Sequence, residues 1–468
     1  MIEISFLIPV YNQPEDLRTC ISSIVSYHGD DIEVVVNDDC STEELGLVVD
    51  GFHDERIRLY RNSKNLGLDG NILSGIQNCR GRYIFLLRTR DLVIAESISD
   101  IFFAIKKHPN IVYLTGTCLD DDGLPRLFHR NEICTKGEAA LRVHDSIHFH
   151  PSGSLFRKED IDVCKYKKYL ERFPVPRLWF MVDQLIRLEL TQKGDFCLLS
   201  KPIWIYTYTN RNKKKSVHPS EGGHLYAQKN TFLRYQSEME FVAAEFEDGL
   251  KMQRFIQTFR FWLFYATWGY LAIMSDENIM SHYGIKSENV DIETERKKFL
   301  DFTEKIENKL GIVEDKYFEA KQKIIKNNIE YEEVRQKQEL RKISVGELSL
   351  PIIRQIEKIK SKGNNFADCI AQNGFYRIGI YGMGYLGKFV WDELVHSNSV
   401  KIVFICDKMY QEEMPIVQGT NAIPANKIDS YEIDALLITP IQHKNEILQE
   451  INCKAPKIII SDLLQCEK

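Results

Sequence analysis

Four polar segments follow four apolar runs in the first 91 residues, and their side chains could bind a polar or anionic ligand. They are Pro9-Val10-Tyr11-Asn12, Asn37-Asp38-Asp39-Cys40-Ser41-Thr42, Lys64-Asn65-Leu66-Gly67 and Arg88-Thr89-Arg90-Asp91. Carboxylates accept hydrogen bonds from ligand N–H groups, and guanidinium groups bind phosphate oxygens through paired donors. Because open α/β sheets bind ligands beyond the carboxyl ends of their strands, the four segments predict one shared site.

A glycine-rich motif lies near the other end of the chain. Gly382, Gly384 and Gly387 have the spacing G-x-G-x-x-G directly after an apolar run, residues 378–381, and Asp407 follows at the end of the next predicted strand. In dinucleotide-binding folds such glycines let the backbone approach phosphates, and the acid contacts ribose hydroxyls. These four residues therefore predict a second nucleotide site, whose ligand is left open between NAD, a nucleotide sugar and none.

The elements that position the N-terminal segments are short strands alternating with helical patterns. A hairpin is predicted over residues 111–128 and a helix over residues 180–190. Strands that alternate with helices form a largely parallel sheet covered by helices. The predicted strands of this domain outside the hairpin cover residues 4–8, 32–36, 57–60, 83–87, 196–199 and 203–208.

The fold class predicted from these patterns is α/β, in three parts. Residues 1–225 form the sheet domain, residues 226–362 a helical middle region, and residues 363–468 a small Rossmann-like α/β domain. The aromatic stretch 255–274 could dock on a membrane or a lipid-linked acceptor, or pack inside a helical bundle. Its apolar run, residues 261–274, is shorter than the about 20 residues that span a bilayer.

Composition excludes several classes of protein. With 61 Lys and Arg against 67 Asp and Glu, the net charge of −6 provides no global basic field for nucleic acid. The 11 Cys residues form no C-x-x-C pair, so neither a disulfide framework nor a zinc ribbon is indicated. The N-terminus lacks the pattern of a signal peptide. We therefore expect a cytoplasmic protein, with association at the inner face of a membrane left open.

The N-terminal segments resemble the family 2 glycosyltransferases of GT-A fold. The resemblance rests on residues 6–12, residues 35–42, the pattern Asn65-Leu66-Gly67-x-x-Gly70-Asn71 and residues 81–87, and it covers about residues 1–225. The stretch 64–71 is especially similar to the abequosyltransferase-like members of bacterial surface-polysaccharide pathways. The resemblance implies inverting transfer of a sugar from a nucleoside diphosphate to an acceptor hydroxyl.

The resemblance also implies which residues bind the nucleotide. By it, the loop from Pro9 to Tyr11 packs against the base and Asp39 accepts a hydrogen bond from a base N–H. The full predicted set is Pro9, Tyr11, Asp38, Asp39, Asn65 and Gly67. The alternative is that residues 38–42 only cap the next helix, since Ser41 or Thr42 suits an N-cap.

The sequence departs from the family at the fourth strand. Members usually carry a D-x-D motif that holds Mg²⁺ or Mn²⁺ against the donor diphosphate, and Arg88-Thr89-Arg90-Asp91 stands here instead. We expect Arg88, Arg90, Asp91 and Lys213 at the diphosphate and transfer that requires no metal. Two alternatives stay open: Mg²⁺ or Mn²⁺ bound through Asp91, or a silent domain that binds the donor without transferring its sugar.

The acceptor side is predicted from the same family context. Asp183, at the start of the predicted helix, is the expected general base, and His150 the expected acceptor contact. The expected partners are a nucleoside-diphosphate sugar and a glycan or lipid-linked glycan of a capsule or lipopolysaccharide pathway, without nucleic acid; self-association is left open. A different class of function is a NAD-linked or sugar-modifying activity in the C-terminal domain.

Overall fold

The computed structural model describes most of the chain and divides it into two compact units. One unit consists chiefly of residues up to Ile329 and the other chiefly of residues from Glu330 onward. The predicted division into three parts at residues 225 and 362 stays a prediction. The described residues are 2–120, 123, 125–127, 129, 131–143, 150–172, 182–207, 228–275, 290–361, 365–416 and 420–464.

Ten strands of the described chain form the sheet of the first unit, in the order β3-β2-β1-β4-β9-β6-β10-β5, with β7 on β6 and β8 on β10. Strands β1 to β4 pair in parallel, whereas β9 pairs antiparallel with β4 and β6. Their bounds are β1 Ile4–Val10, β2 Ile32–Asp38, β3 Ile57–Arg61, β4 Tyr83–Leu86, β5 Leu92–Val93, β6 Ile111–Leu119, β7 Pro125–Leu127, β8 Glu132–Cys134, β9 Ser154–Arg157 and β10 Asp195–Ile205.

Twelve α-helices lie between residues 14 and 361 of the described chain, and those of the first unit pack on both faces of this sheet. They are α1 Pro14–Val25, α2 Leu45–Asp50, α3 Gly67–Asn78, α4 Ile98–Lys107, α5 Glu138–Arg142, α6 Val163–Arg172, α7 Val182–Leu190, α8 Gln228–Glu245, α9 Asp248–Phe264, α10 Tyr270–Met274, α11 Ile292–Leu310 and α12 Asp315–Ser361. Short 3₁₀ turns cover Ala95–Ser97 and Lys158–Asp160, and a π-helical turn covers Tyr265–Gly269. The point at which the two units divide lies within α12.

The apolar runs form the expected strands because they are buried on both faces. All seven residues of β1 are buried. Phe6 and Ile8 pack with α1, α2 and α4, whereas Leu7 packs on the opposite face with α3 and α7. A strand covered on both sides needs a continuous apolar run. The expected α/β architecture of the N-terminal part is therefore confirmed.

One strand prediction in this unit is wrong. The sequence predicts separate strands at 196–199 and 203–208, but β10 runs without a break from Asp195 to Ile205 and includes Pro202. Proline fixes φ near −65° and removes only a hydrogen-bond donor, so it fits an extended strand where no partner needs that donor. A single proline therefore does not end this strand.

Helices α8, α9 and α11 pack with the sheet of the first unit. Phe255, Phe259 and Trp262 of α9 are buried in the same core cluster as α3 and α7, together with Phe299 of α11. For these side chains the structure shows the packing interpretation rather than membrane docking. No helix in the described ranges combines the length and the apolar character needed to cross a membrane.

The second unit contains a smaller six-stranded sheet, in the order β13-β14-β12-β11-β15-β16. Among the described residues, its neighbouring strands pair in parallel except β13 and β14, which are antiparallel. The sequence did not predict β13 and β14, which are only two and three residues long. The elements are α13 Phe366–Gln372, β11 Arg377–Tyr381, α14 Tyr385–Leu394, β12 Lys401–Cys406, β13 Met414–Pro415, β14 Asn421–Ile423, β15 Ala435–Ile438, α15 Lys444–Glu450, β16 Lys457–Ile459 and α16 Ile460–Leu463, with 3₁₀ turns at Ala425–Ser430 and Ile441–His443.

Candidate active site

The loops after β1 and β2 are tied together at the carboxyl edge of the first sheet. Asn12 and Cys40 have positive φ angles of 57° and 62°, which strain a residue that carries a side chain. The N–H of Asn12 donates to Ser41 Oγ over 2.7 Å, and its Oδ1 accepts the N–H of Thr42 over 2.9 Å. These hydrogen bonds offset the strain and make one fixed surface of the two loops.

Asp39 lies in this surface with a buried carboxylate. Its Oδ1 accepts the N–H of Leu66 over 2.8 Å and Asn62 Nδ2 over 3.0 Å, and its Oδ2 accepts the N–H of Gly67 over 2.9 Å. Burial raises the pKa of Asp39, although these hydrogen bonds favour the charged form. A carboxylate has about four acceptor positions, so one on Oδ2 is left for a ligand N–H.

Asp38 and Asn65 hold the neighbouring loops. Asp38 Oδ1 accepts the N–H of Ser41 over 2.9 Å, and its Oδ2 pairs with Arg61 Nη1 over 2.8 Å. Asn65 Oδ1 accepts the N–H of Gly67 over 3.0 Å, where a φ of 74° suits glycine. These contacts give Asp38 a structural role in the loop before α2 and Asn65 one at the start of α3, and their contact with a nucleotide stays a prediction.

Pro9 and Tyr11 lie at the end of β1, between the loops that carry Asp39 and Arg88. Pro9 pairs in register with Asn37 of β2, and its carbonyl accepts Thr89 Oγ1 over 3.0 Å. Tyr11 is half-buried just beyond the strand. The structure therefore brings the predicted nucleotide and diphosphate segments to the same edge.

Buried amides support this edge, and the site prediction did not include them. Asn37 Nδ2 donates to Asn71 Oδ1 over 2.7 Å, and Asn71 Nδ2 returns a bond to the Asn37 carbonyl over 2.9 Å. Asn62 Nδ2 also donates to Asn71 Oδ1 over 2.9 Å, and Asn78 Nδ2 to Asn37 Oδ1 over 2.8 Å. The signal was the recurrence of Asn at strand ends and at positions 71 and 78 of one helix.

Asp91 is buried and surrounded by hydrogen-bond donors. Its Oδ2 accepts Arg88 Nε over 2.9 Å and Ser152 Oγ over 2.5 Å, and its Oδ1 accepts Arg88 Nη2 over 3.4 Å and the N–H of Thr207 over 3.2 Å. These bonds use all four acceptor positions. Burial lowers the pKa of Arg88, but the charge and hydrogen bonds of Asp91 more than offset this, so the pKa is raised.

Arg90 differs from Arg88 in having a side chain without a hydrogen bond or ion pair to the described residues. Only its carbonyl is engaged, by Thr207 Oγ1. The Arg88 guanidinium is tied to Asp91 and lies 5.3 Å from the centre of the Tyr206 ring. Of the two predicted clamp residues, Arg90 therefore keeps its charge available to an anion.

The donor atoms at this position do not fit the divalent cation that the resemblance implies. Ca²⁺ takes six to eight oxygen ligands, and Mg²⁺ takes six in near-octahedral geometry. The two Asp91 oxygens already accept four hydrogen bonds from the protein. In the described ranges, no group of three or more His, Cys, Asp or Glu side chains could hold a metal.

Asp183 lies in the first turn of α7 and is completely buried. Its Oδ2 accepts a hydrogen bond from Arg187 Nη2 one turn further on. Its Oδ1 has no hydrogen-bond partner among the described residues. Burial raises the pKa of Asp183, against the opposing effects of the Arg187 and Arg234 charges and of the backbone N–H groups of Asp183 and Gln184. One buried carboxylate oxygen with a raised proton affinity is a suitable proton acceptor.

His150 lies between the two ends of the site. Its ring stacks on Trp204 with centroids 4.9 Å apart, and Nδ1 accepts the N–H of Ser152 over 3.1 Å. Its carbonyl accepts Arg187 Nη1 over 3.3 Å. Gly153 has a φ of 75°, and a Cβ there would lie 2.1 Å from Trp204 Nε1, so only glycine fits.

A chain of contacts thus connects the predicted base with the fourth-strand segment. It runs from Asp183 through Arg187, the loop at His150 and Ser152 to Asp91. Arg187, Ser152 and Thr207 were missed by the site prediction; only the Asp183–Arg187 spacing of four residues carried a signal. Lys213 lies outside the described residues.

In the second unit the three motif glycines have different surroundings. Gly382 has a φ of 90°, and a Cβ on Gly387 would lie 1.9 Å from the Gly382 carbonyl oxygen, so both positions require glycine. A Cβ on Gly384 would meet nothing within 4 Å. Asp407 Oδ2 accepts the N–H of Met383 over 2.7 Å. This pattern matches glycine roles in dinucleotide folds, where the second glycine leaves room for a phosphate; binding stays a prediction.

Comparison with family models agrees with the N-terminal resemblance. Residues 5–164 match the model described as glycosyl transferase family 2. Residues 374–459 match the model described as C2185-like, N-terminal. The second match does not confirm the Rossmann-like assignment made from the glycine motif.

Similar proteins have been found for parts of the chain. The succinoglycan biosynthesis protein ExoO of Rhizobium meliloti is 34% identical over 91 residues, which are 19% of this chain and 26% of that protein. The abequosyltransferase RfbV of Salmonella typhimurium is 32% identical over 101 residues, 20% of this chain and 30% of that protein. The matched regions span less than a third of either relative.

Among solved structures, the crystal structure of S. aureus TarS 1-349 in complex with UDP-GlcNAc aligns with a TM-score of 0.47 and 14% identity. The alignment covers 78% of this chain and 93% of that one. The family match therefore places residues 5–164 in a stretch similar to family 2 glycosyl transferases, and this stretch lies within the mixed sheet of the first unit.

Proposed function

We propose that the chain is an inverting glycosyltransferase that moves a sugar from a nucleoside-diphosphate donor to a hydroxyl of a glycan. The observation that carries this proposal is Asp183, whose buried carboxylate keeps one oxygen without a partner among the described residues, in the unit that contains the family 2 domain. A buried acid with a raised pKa and a spare acceptor position suits a general base.

In the proposed reaction Asp183 Oδ1 takes the proton of the acceptor hydroxyl. The acceptor oxygen forms a bond to the anomeric carbon while the bond from that carbon to the diphosphate oxygen breaks. The nucleoside diphosphate leaves with the electron pair, and the configuration of the anomeric carbon inverts. Negative charge therefore develops on the leaving diphosphate, where a fixed cation stabilises the transition state.

Arg90 is the proposed cation for this leaving group. Its side chain makes no ion pair with the described residues, whereas the Arg88 charge is balanced by Asp91. A guanidinium binds phosphate oxygens through parallel donors. We propose that Arg90, joined by the predicted Lys213, takes the place of the family's divalent cation, and that the transfer is metal-independent.

The proposed donor contacts are the residues at the ends of β1 and β2. Asp39 keeps one acceptor position on Oδ2 for a base N–H. The proposed acceptor is a glycan or lipid-linked glycan of a capsule, lipopolysaccharide or related polysaccharide, with His150 beside it. The names of ExoO and RfbV, which are a succinoglycan biosynthesis protein and an abequosyltransferase, support this class of acceptor.

A second candidate function lies in the second unit. The open space at Gly384 and the contact of Asp407 with the glycine loop favour a nucleotide bound between β11 and α14. Its backbone groups and Asp407 would hold a diphosphate and a ribose. NAD would supply hydride chemistry when bound, and no catalytic residue is assigned for such a reaction.

The test is sugar transfer by the full chain. The donors are UDP-glucose, UDP-GlcNAc, GDP-mannose and dTDP-rhamnose, each radiolabelled in its sugar. Two quantities are measured: the label transferred to polysaccharide and glycolipid fractions, and the nucleoside diphosphate released. We expect transfer from one nucleotide class, whose diphosphate at 100 times its Kd also stabilises the chain by about 2.7 kcal/mol. Binding without transfer or hydrolysis would show a silent scaffold, and stabilisation by NAD alone would move the chemistry to the second unit.

A further inference from the structure

We propose that Arg187 is a positioning residue that orients Asp183 for proton transfer and joins it to the loop His150–Ser154. This inference rests on the proposed function, because it deepens the role of the same site. The spacing of four residues indicates a pair but not this role, since such a pair on a helix is usually a modest surface interaction. The burial and the second contact of Arg187 carry the argument.

The first step of the argument is the buried ion pair. The side chains of Asp183 and Arg187 are 1% and 2% exposed. Arg187 Nη2 donates to Asp183 Oδ2, which leaves Oδ1 for the acceptor proton. Buried charges are costly unless paired with good geometry, so the guanidinium keeps the carboxylate both charged and fixed in direction.

The second step is the contact of the same guanidinium with the loop. Arg187 Nη1 donates to the His150 carbonyl over 3.3 Å, which also accepts Ser154 Oγ over 3.1 Å. Ser152 of this loop donates to Asp91 beside Arg88. A planar guanidinium can serve two acceptors at once, whereas a lysine ammonium is a point charge. Arg187 therefore sets the distance between the base and the loop that reaches the fourth-strand segment.

The third step concerns the charges around Asp183. Arg187 lies on its own helix, Arg234 approaches from α8, and Asp69 of α3 accepts the N–H of Val182 next to Asp183. The titratable ring of His150 belongs to the adjoining loop. Burial raises the pKa of Asp183, and Arg187 acts against that rise. Removing the guanidinium must raise this pKa further, so the base would lose its proton only at higher pH.

The experiment is the pH dependence of kcat for the wild type, R187M and R187K. Turnover is followed as nucleoside diphosphate release, with UDP-glucose as the first probe and then the remaining sugars of the transfer test. The acid limb is the rise of kcat with pH as the base loses its proton. In R187M we expect the midpoint of this limb to lie about one to three pH units higher than in the wild type, and kcat at pH 7 to be at least about tenfold lower. R187K keeps the charge, so its limb stays near that of the wild type while kcat falls.

An unchanged acid limb in R187M, with an equal loss of rate at every pH, would overturn the inference and leave Arg187 a merely structural role. Thermal unfolding of D183N, R187M and the double variant gives a readout without turnover. We expect the double variant to lose less Tm than the sum of the two single losses, because each single variant leaves a buried charge unpaired. Additive losses would also overturn it.

D183N separates the inference from the proposed function. If D183N turns over as fast as the wild type, the proposed function fails and the inference fails with it. If D183N is inactive while R187M keeps the wild-type acid limb, the inference alone fails.

Discussion

The two sides of the candidate site use their carboxylates differently. On the side formed by the ends of β1, β2 and β4, both oxygens of Asp38, Asp39 and Asp91 accept hydrogen bonds from the protein. On the side formed by α7, Asp183 has one engaged oxygen and one without a partner in the described chain. This difference indicates that Asp38, Asp39 and Asp91 mainly hold the loops in place, whereas Asp183 has an oxygen that could accept a proton.

The largest expected effect is that of D183N, which removes the spare acceptor. We expect kcat to fall by about 10² to 10⁴, since general-base assistance is worth that much, while nucleotide binding stays unchanged. The measurement is initial-rate kinetics with the donor that the wild type uses. The matched control is D248N, a carboxamide change at the start of α9 where the side chain is 98% exposed; wild-type kcat in D183N would break the comparison.

The next largest effects are expected for the two arginines that follow β4. One variant should lose activity and the other stability. R90M should lower kcat by about 10² to 10³ through lost stabilisation of the leaving group, with an unchanged Tm. R88M should destabilise the protein by about 3 kcal/mol, because Asp91 stays buried without its cation. Kinetics and thermal unfolding of both variants are compared; equal stability losses would contradict the distinction.

G153A probes the loop between the two sides. A Cβ at this position would lie 2.1 Å from Trp204 Nε1, and the φ of 75° disfavours any side chain. We expect a loss of about 1–3 kcal/mol in the free energy of unfolding, measured in urea. G46A in α2, where a Cβ would meet nothing within 4 Å, is the control, and equal stability of the two variants would show that the loop is not tightly packed.

Two glycines of the second unit are expected to differ, and G384A has the smaller expected effect on stability. G387A should destabilise it by about 1–3 kcal/mol, because the Cβ would lie 1.9 Å from a backbone oxygen, whereas G384A should leave its stability within about 0.5 kcal/mol. If a nucleotide binds there, G384A should still weaken binding of NAD or a nucleoside diphosphate, measured by calorimetry. Stronger destabilisation by G384A than by G387A would contradict the assigned glycine roles.

Much of the fold could be predicted from the sequence because its strands are buried on both faces. The continuous apolar runs of β1, β2 and β4 have few other interpretations. The prediction of two strands in place of β10 was wrong. Whether a strand continues through Pro202 depends on whether a neighbouring strand needs a backbone N–H at that position, and the sequence does not show this. The short strands β13 and β14 form through pairing with neighbours, and two or three residues carry too little pattern to predict.

The site could be predicted only in part. Asp183 was predicted from the family context and its place at the start of a helix, and its role stays a prediction; its unpartnered oxygen depends on packing that no local pattern encodes. The engagement of Asp91 depends on Ser152 and Thr207, which are 61 and 116 residues away in sequence. Arg88 and Arg90 look alike in the sequence, but in the structure the Arg88 guanidinium pairs with Asp91 and lies over the Tyr206 ring.

The measurement that tests the central claim most directly is the rate of nucleoside diphosphate release by the full chain in EDTA and after addition of Mn²⁺. If Arg90 replaces the family's cation and Asp183 is the base, the wild-type rate in EDTA should stay within about twofold of the rate with Mn²⁺, a difference under about 0.5 kcal/mol in activation free energy. D183N should be slow in both conditions. A wild-type rate that collapses in EDTA and returns with Mn²⁺ would contradict the account.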